Sequence, residues 1–186
     1  ELNPDNKYFL FVGRIVERKG LSWFVKNILP YFSNYKLKVV GPIGDKKEFS
    51  ESKNPMVEYL GVVSDDELSK LRREAALCVV PNIYLENDDD FEAFCFVTIE
   101  SVSEGSLVVA SNYQGIPEAL LNGNLGYLAE PSDIESWKDR LPDMGNDTSD
   151  IYVPTLPIDL LGQDFDSSAE EEVNGWIYAI DENGDG

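Results

Sequence analysis

The first 41 residues restrict the fold more than any other part of the chain. An apolar run, KYFLFV, occupies residues 7–12 and ends at Gly13, which is typical of a strand buried on both faces of a parallel sheet. From Leu21 onward, apolar residues recur at helical spacing and predict a helix of about 13 residues. The run LKVV at 37–40 predicts the next strand. Because a strand, helix and strand in succession form a right-handed parallel unit almost without exception, we expect a parallel sheet.

The same alternation of strands and helices continues to residue 140. Ser64-Asp65-Asp66-Glu67 forms a capping box ahead of a helix that is expected to extend to about Ala75. The stretch 42–55 is polar and is expected to be a loop. Further strands are predicted at 57–60, 77–80, 107–110 and 126–128. The region 92–104 is predicted to contain a helix, and further helices are predicted at 117–121 and around Trp137. The pattern predicts an α/β fold with a doubly wound, mostly parallel, Rossmann-like sheet over residues 1–140.

The charge of the chain is strongly negative and unevenly distributed. The 186 residues carry a formal net charge of −20, which opposes binding to nucleic acid or to an anionic membrane surface. Residues 141–186 contain twelve acidic residues and no Lys or Arg, and helix-breaking residues interrupt them throughout. We therefore expect residues 141–186 to be an acidic tail of uncertain structure, and its role stays open.

Signals for cellular location are few. The sequence has no run of 18 apolar residues and no basic, apolar leader, so neither a membrane span nor a signal peptide is expected within it. It starts with Glu1, which indicates that it begins inside a longer chain. Cys78 and Cys95 sit in apolar surroundings without framework spacing, which favours reduced thiols. A cytoplasmic protein is expected, with membrane association only through a missing part.

Residues 88–105, DDDFEAFCFVTIESVSEG, hold the candidate site. Glu92 lies just before a predicted helix, and Glu100 lies one to two turns into it if Phe94 or Cys95 opens the helix. The entrance of the helix adds unpaired N–H groups and the positive end of the helix dipole, which together bind an anion. Two carboxylates beside an anion site suit a ligand that carries hydroxyl groups and a phosphate.

Four sequence blocks occur in order: FVGRIVERKG at 11–20, LKVVG at 37–41, VEYLGVVSDDEL at 57–68, and the E-x7-E pair formed by Glu92 and Glu100. Together they resemble the nucleotide-sugar-binding half of retaining glycosyltransferases of the GT-B fold, in the family numbered four. The resemblance covers about residues 7–140. It implies the C-terminal, donor-binding domain of an enzyme that transfers a hexose from a nucleotide diphosphate sugar to an acceptor hydroxyl.

The resemblance also implies roles for individual residues. Arg14 and Lys19 would hold the diphosphate and neutralise the charge that builds on the leaving group. Glu92 would position the transferred sugar, and Glu100 would accept hydrogen bonds from the ribose. Donor-binding positions are implied at Gly13, Gly41, Leu60, Phe94, Cys95 and Phe96. The family commonly has Gly where Cys95 and Gln114 stand, so the donor or the loop is expected to differ there.

The donor and the acceptor are only partly defined by the resemblance. The donor nucleotide would be UDP, GDP or ADP, and neither a metal nor another cofactor would be required. The acceptor is a glycan, lipid or protein that the sequence does not identify, and it normally sits on a preceding N-terminal domain that is missing here. The chain by itself is therefore expected to bind a nucleotide sugar but to transfer sugar poorly, and to have no nucleic-acid partner.

Other interpretations stay open. Arg14 and Lys19 could be solvated surface cations, Glu92 an acid that complements the helix dipole, and Glu100 an ordinary exposed helix residue. The chain could also be a nucleotide-binding module without catalysis, or an acidic protein-interaction domain without a ligand.

A nucleophilic role for Cys95 is disfavoured because the sequence has no histidine to activate it. The motif at 181–186 opens like a calcium loop but lacks the later ligands, which favours an acidic end without metal.

Overall fold

A computed structural model describes residues 8–85 and 94–141, and in these residues six parallel strands form one sheet. The strands are β1 (Tyr8–Val12), β2 (Lys36–Val40), β3 (Val57–Gly61), β4 (Leu77–Val80), β5 (Val108–Ser111) and β6 (Tyr127–Ala129). Their order in the sheet is β3-β2-β1-β4-β5-β6, and each neighbouring pair is parallel. The predicted α/β class and the doubly wound sheet are confirmed.

Helices cover both faces of the sheet. They are α1 (Leu21–Asn27), α2 (Lys46–Glu51), α3 (Asp65–Glu74), α4 (Phe96–Ser103), α5 (Ile116–Ala119) and α6 (Ile134–Arg140). Side chains of α1, α2 and α6 pack into one hydrophobic cluster, and side chains of α3, α4 and α5 pack into a second cluster on the opposite face. None of the helices in the described part of the chain combines the length and hydrophobicity that a membrane span requires.

The packing of β1 on both of its faces explains why its sequence is a continuous apolar run. Phe9 and Phe11 belong to the first cluster, whereas Tyr8 and Leu10 belong to the second. Successive side chains of a strand point to opposite faces, so a strand covered on both faces has no position left for a polar residue. All four of these side chains are at most 2% exposed.

Two predictions for the first half of the chain were wrong. Helix α1 ends at Asn27 and is followed by a 3-10 turn, Leu29–Tyr31, because Pro30 has no N–H with which to continue an α-helix. The stretch 42–55, expected to be a loop, contains α2. The Asp45 side chain accepts hydrogen bonds from the first turn of α2, at 2.7 Å from the Lys47 nitrogen. The Asp45 and Glu48 pair, three residues apart, is the capping signal that could have revealed this helix.

Later parts of the fold agree with the sequence. The Ser64 Oγ accepts a hydrogen bond from the Glu67 N–H at 3.3 Å, which confirms the predicted capping box. Helix α6 brings Trp137 into the first cluster, where its ring meets Phe24 edge-to-face at a centroid distance of 5.7 Å. The predicted acidic tail lies outside the described residues from 142 onward.

Polar side chains join α3 to α4. The Glu104 carboxylate accepts a hydrogen bond from the Ser69 hydroxyl at 2.6 Å and pairs with the Arg73 guanidinium at 2.7 Å. The Ser69 hydrogen bond is the main reason that the pKa of Glu104 lies below its usual value of 4.5, and Arg73 acts in the same direction. The charged form of Glu104 is therefore the form that the folded protein stabilises.

We expect Trp137→Ala to lower the free energy of unfolding by about 3–5 kcal/mol, because it removes a fully buried aromatic side chain that closes the first cluster. Urea denaturation followed by circular dichroism measures this change. Glu135→Ala, on the same helix with a side chain 75% exposed, is the control and should change stability by about 0.5 kcal/mol or less. Equal stabilities of the two variants would contradict the packing described for α6.

The Glu104 contacts predict a pH dependence of stability. Since its folded pKa is lowered, Glu104 contributes stability that is fully present above the usual pKa of 4.5 and is lost as the pH falls through the folded value. The difference in unfolding free energy between the wild type and Glu104→Gln should therefore be constant near neutral pH and shrink in acid. Urea denaturation across a pH series checks this, and a difference that grows in acid would be the contrary result.

Candidate functional site

The carboxyl end of the sheet has a topological switch point between β1 and β4. The two strands are neighbours, yet the chain leaves β1 toward α1 on one face and leads from β4 to α4 on the other. In open α/β sheets, ligands bind outside the carboxyl ends of the strands at such a point. The loop after β1 and the segment after β4 therefore border the candidate site.

The loop 13–20 connects the ends of three strands. The Ile15 N–H donates to the Pro42 carbonyl, which follows β2, at 2.9 Å. The Ile83 N–H, which follows β4, donates to the Arg18 carbonyl at 3.0 Å. The backbone of the loop is thus hydrogen-bonded to the neighbouring loop on each side, which restricts its conformations.

This loop carries both cations that the sequence analysis selected. Arg14 is exposed, and its side chain passes over Gly44, where an added Cβ would lie 3.0 Å from the Arg14 Cγ. Lys19 is half-buried and ends the 3-10 turn Glu17–Lys19. Both residues therefore lie at the carboxyl end of the sheet, on a loop bonded to the segment that leads toward α4.

Two backbone contacts in this region require glycine. Gly20 has a φ of 67°, and a Cβ there would lie 2.0 Å from the Pro81 carbonyl oxygen. Gly41 has a φ of 139°, and a Cβ there would lie 2.0 Å from the Gly13 carbonyl oxygen. The Tyr59 hydroxyl donates to the Gly41 carbonyl at 2.9 Å. Gly13 and Gly41 thus bring the loops after β1 and β2 into direct contact. This packing requires glycine at position 41 whether or not a ligand binds nearby.

The N-terminus of α4 faces the same end of the sheet. Cys95 is the N-cap residue and makes no side-chain cap, so its side chain supplies no acceptor for the N–H groups of the first turn. Phe96, the first helical residue, is 67% exposed and packs edge-to-face on Phe94 at a ring distance of 5.2 Å. This entrance has the features expected of an anion site.

The two positions at which the sequence lacks an expected glycine differ in conformation. Cys95 has a φ of −93°, and its side chain is buried in the second cluster, so the thiol points into the core. Gln114 has a φ of +51°, in the left-handed region that favours glycine. The backbone at position 114 therefore has a conformation that glycine adopts without strain. For a residue with a Cβ, such as Gln114, this conformation costs roughly 1–2 kcal/mol.

Glu100 has a partner that the sequence analysis missed. The Arg72 Nη2, on α3, donates to the Glu100 Oε2 on α4. The Arg72 side chain is 8% exposed, whereas that of Glu100 is 51% exposed. A signal for this contact exists in the sequence, since Arg72 is next to Leu71 and three residues before Ala75 on the buried side of α3. A cation in that position needs a partner in the interior.

The remaining candidates are placed as follows. Leu60 is half-buried on β3 and packs against the second cluster. Glu92 lies outside the described residues, as does the motif at 181–186. Within residues 8–85 and 94–141, no group of His, Cys, Asp and Glu side chains is arranged to hold a metal ion.

A cavity of about 130 Å³ lies between α2 and the β2–β3 side of the sheet. Its walls include Leu21, Val39, Phe49 and Tyr59, and Lys53 lies at its edge. The residues that line it include neither Arg14, Lys19 nor Glu100. Ile15 of the loop 13–20 also lines the cavity, which therefore adjoins that loop without reaching the two cations selected on it.

Comparison with known proteins identifies the family. The sequence profile described as "Glycosyl transferases group 1" matches residues 6–147. An uncharacterized glycosyltransferase of Methanocaldococcus jannaschii is 28% identical, over 97% of this chain and 47% of its own length. A lipopolysaccharide 1,2-N-acetylglucosaminetransferase of Salmonella typhimurium is 32% identical, over 71% of this chain and 37% of its own length. The chain thus spans about half or less of these curated relatives.

Solved structures share the fold. The Anabaena protein HepE, solved in complex with UDP and glucose, superimposes with a TM-score of 0.61 at 19% sequence identity. The superposition covers 73% of this chain and 37% of the Anabaena protein. At this level of identity the likeness establishes the architecture alone.

The contact between Gly20 and Pro81 yields a stability prediction. We expect Gly20→Ala to cost about 2–5 kcal/mol, since it adds a backbone clash to the strain of a left-handed alanine. Gly105→Ala is the matched control, because Gly105 has a φ of +83° and nothing within 4 Å of an added Cβ. Its cost should be only the conformational penalty of about 1–2 kcal/mol. Thermal and urea unfolding of both variants measure the difference, and equal costs would contradict the close contact.

Proposed function

Since the chain belongs to the group 1 glycosyl transferases, we propose that it is the donor-binding domain of a retaining glycosyltransferase. The enzyme would transfer a hexose from a nucleoside diphosphate sugar to an acceptor hydroxyl without a required metal. The donor would bind outside the carboxyl ends of β1 and β4, between the loop 13–20 and the N-terminus of α4.

The observation that carries this proposal is the connection between the loop after β1 and the segment after β4. The Ile83 N–H donates to the Arg18 carbonyl, and Gly20 contacts the Pro81 carbonyl oxygen. Lys19 lies between Arg18 and Gly20, the two residues that make these contacts, and therefore next to the segment that leads toward α4. Arg14, on the same loop, lies over Gly44 in the loop after β2. A diphosphate bridging the two segments would meet positive charge from the loop and N–H groups from the helix.

Arg14 and Lys19 would act on the leaving group. When the bond between sugar and diphosphate breaks, negative charge builds on the diphosphate oxygens. Fixed cations beside those oxygens interact more strongly with the transition state than with the intact donor, and such differential binding is what accelerates the reaction. The hydrogen-bonded backbone of the loop supports this role, because it restrains the positions from which the two side chains extend.

The two glutamates would bind hydroxyl groups. An ionised carboxylate only accepts hydrogen bonds and can take two at once, which suits a pair of sugar hydroxyls. Glu100, half exposed on α4, would accept from the ribose. Glu92 would hold the transferred hexose; this role rests on the resemblance, since Glu92 lies outside the described residues.

Backbone groups would complete the donor site. Gly13 and Gly41 directly follow β1 and β2, and their backbones lie in contact with no side chain between them. Phe94, Cys95 and Phe96 would direct the N–H groups of the α4 entrance toward a phosphate, and Leu60 would border the base from β3. The buried thiol of Cys95 supports a structural position for this residue rather than a nucleophilic one.

The acceptor would bind outside this chain. The relatives are at least twice as long as the part that matches, so the acceptor surface and the closed active site would involve further residues. One relative is named as a lipopolysaccharide N-acetylglucosaminetransferase. For this protein we propose only a hydroxyl-bearing acceptor, which can be a glycan, a lipid or a protein.

Nucleotide binding tests the proposal. Isothermal titration calorimetry of the 186-residue chain with UDP, GDP and ADP should detect binding of at least one of them. Arg14→Gln and Lys19→Gln should each weaken it by about tenfold or more, because each removes a charge from the diphosphate, and tenfold corresponds to about 1.4 kcal/mol. Lys26→Gln, an exposed residue on α1, is the control and should leave the affinity unchanged.

Two results would contradict the proposal. The first is the absence of binding for all three nucleotides by a folded wild-type chain, which would favour an interaction domain without a ligand. The second is robust sugar transfer by the 186-residue chain alone, which would show that the acceptor surface is not supplied by further residues. With the complete enzyme, the anomeric configuration of the product, read by NMR, tests whether the transfer is retaining.

A further inference from the structure

We propose that Arg72 is a positioning residue that presets Glu100 for the ribose of the bound nucleotide; this inference rests on the proposed function. Arg72 does not belong to the loops that border the site, and it would not touch the ligand. Its guanidinium holds one carboxylate oxygen of Glu100, Oε2, from the neighbouring helix α3. The half-exposed carboxylate keeps lone pairs for two hydroxyl donors.

The directions of the two helices support this arrangement. Helix α3 follows β3 and α4 follows β4, so both begin at the carboxyl end of the sheet. Arg72 lies in the last turn of α3, and because side chains of a helix lean toward its N-terminus, the Arg72 side chain leans back in the direction of the carboxyl end of the sheet and meets Glu100 on α4. The Ser106 hydroxyl, just before β5, donates to the Arg72 carbonyl and fixes the backbone of this residue. Arg72 thus holds Glu100 from a position that the fold restrains.

Stability does not account for Arg72. Its side chain is almost completely buried, and no acceptor among the described residues meets its Nε. A buried ion pair is weak support for folding, because the loss of hydration offsets the attraction between the charges. Glu100 is half exposed and would be hydrated without Arg72. A cation kept in the interior at this cost is better explained by its effect on the orientation of Glu100.

Preorganisation is the expected gain. A free glutamate side chain samples several rotamers, and a ligand that uses it must first order it. The planar guanidinium of Arg72 limits the rotamers of Glu100 before the nucleotide arrives. The gain in affinity should appear only for ligands that carry the hydroxyl groups that Glu100 would bind.

The structure provides a matched control for this ion pair. Arg73 pairs with Glu104 between the same two helices at 2.7 Å, one helical turn farther from the α4 entrance. This second pair also joins an arginine of α3 to a glutamate at α4, although the Arg73 side chain is 56% exposed. Substitution of Arg73 therefore tests the effect of losing a bridge between the helices without disturbing Glu100.

The experiment compares a ribonucleotide with its 2′,3′-dideoxy analogue. The 186-residue chain is titrated with whichever of UDP, GDP and ADP binds best, and with the dideoxy form of that nucleotide. Arg72→Met should weaken binding of the ribonucleotide by about tenfold and change that of the dideoxy form by about twofold or less. Glu100→Gln, which keeps an acceptor for Arg72, should reduce the same preference. The variant that combines Arg72→Met with Glu100→Gln should bind the ribonucleotide no more weakly than Glu100→Gln alone. Arg73→Met should keep the wild-type preference for the ribonucleotide over the dideoxy form.

The outcomes separate this inference from the proposed function. If Arg72→Met is folded and keeps the wild-type preference for the ribonucleotide, the inference is wrong while the proposed function stands. If the wild type binds no nucleotide, or if Glu100→Gln keeps the wild-type preference for the ribonucleotide, then neither the ribose-binding role of Glu100 nor the positioning role of Arg72 is correct. Arg72→Gln, which is shorter and neutral, carries the same expectations and decides the matter if the Met variant does not fold.

Discussion

The contact between Gly20 and the Pro81 carbonyl is the constraint on which much of the structure depends. It lets the loop after β1 reach the segment after β4 at a distance that excludes any side chain. Helix α1 begins at the next residue, Leu21, and carries the buried Phe24 into the first cluster. The same glycine therefore constrains the loop that carries two candidate cations at the carboxyl end of the sheet and the start of the helix that covers one face.

Charge is distributed along the chain in a way that the net value conceals. Residues 8–61 contain nine Lys and Arg and five Asp and Glu, a local balance of +4 in a chain of net charge −20. These residues form β1, β2 and β3 with their connections, and they include the loop 13–20. Salt screens the interaction between a ligand and distant charges of the protein, so nearby charges dominate. A strongly acidic protein can therefore still offer an anionic ligand a positive surface.

The two ion pairs between α3 and α4 illustrate how similar contacts serve different purposes. Glu104 has both carboxylate oxygens bonded, to Ser69 and to Arg73, and no oxygen is left without a partner. Glu100 is bonded through one oxygen to a buried arginine and stays half exposed. The first pair completes a helix interface. The second leaves a carboxylate oriented but available, which is the condition that a binding residue requires.

Local patterns in the sequence predicted most of the fold and the candidate residues. The β-α-β unit, the capping box at Ser64 and the alternation of strands and helices rest on interactions within a few residues, which sequence records directly. The early end of α1 and the existence of α2 were missed. For α1 the signal was one residue, Pro30, within a hydrophobic pattern that continues past it. For α2 the signal was the capping pair Asp45 and Glu48 in a stretch that otherwise has the composition of a polar loop.

The sequence by itself determined the parallel sheet, the glycine-bounded loop and the presence of two cations and two glutamates in family-like blocks. Only the tertiary structure decided which segments meet: that Gly20 contacts Pro81, that the Tyr59 hydroxyl holds Gly41, and that Arg72 reaches Glu100. These contacts join residues far apart in the chain. They depend on the order of strands and on the directions of helices, which no local pattern encodes, because each arises only when both elements are packed on the same sheet.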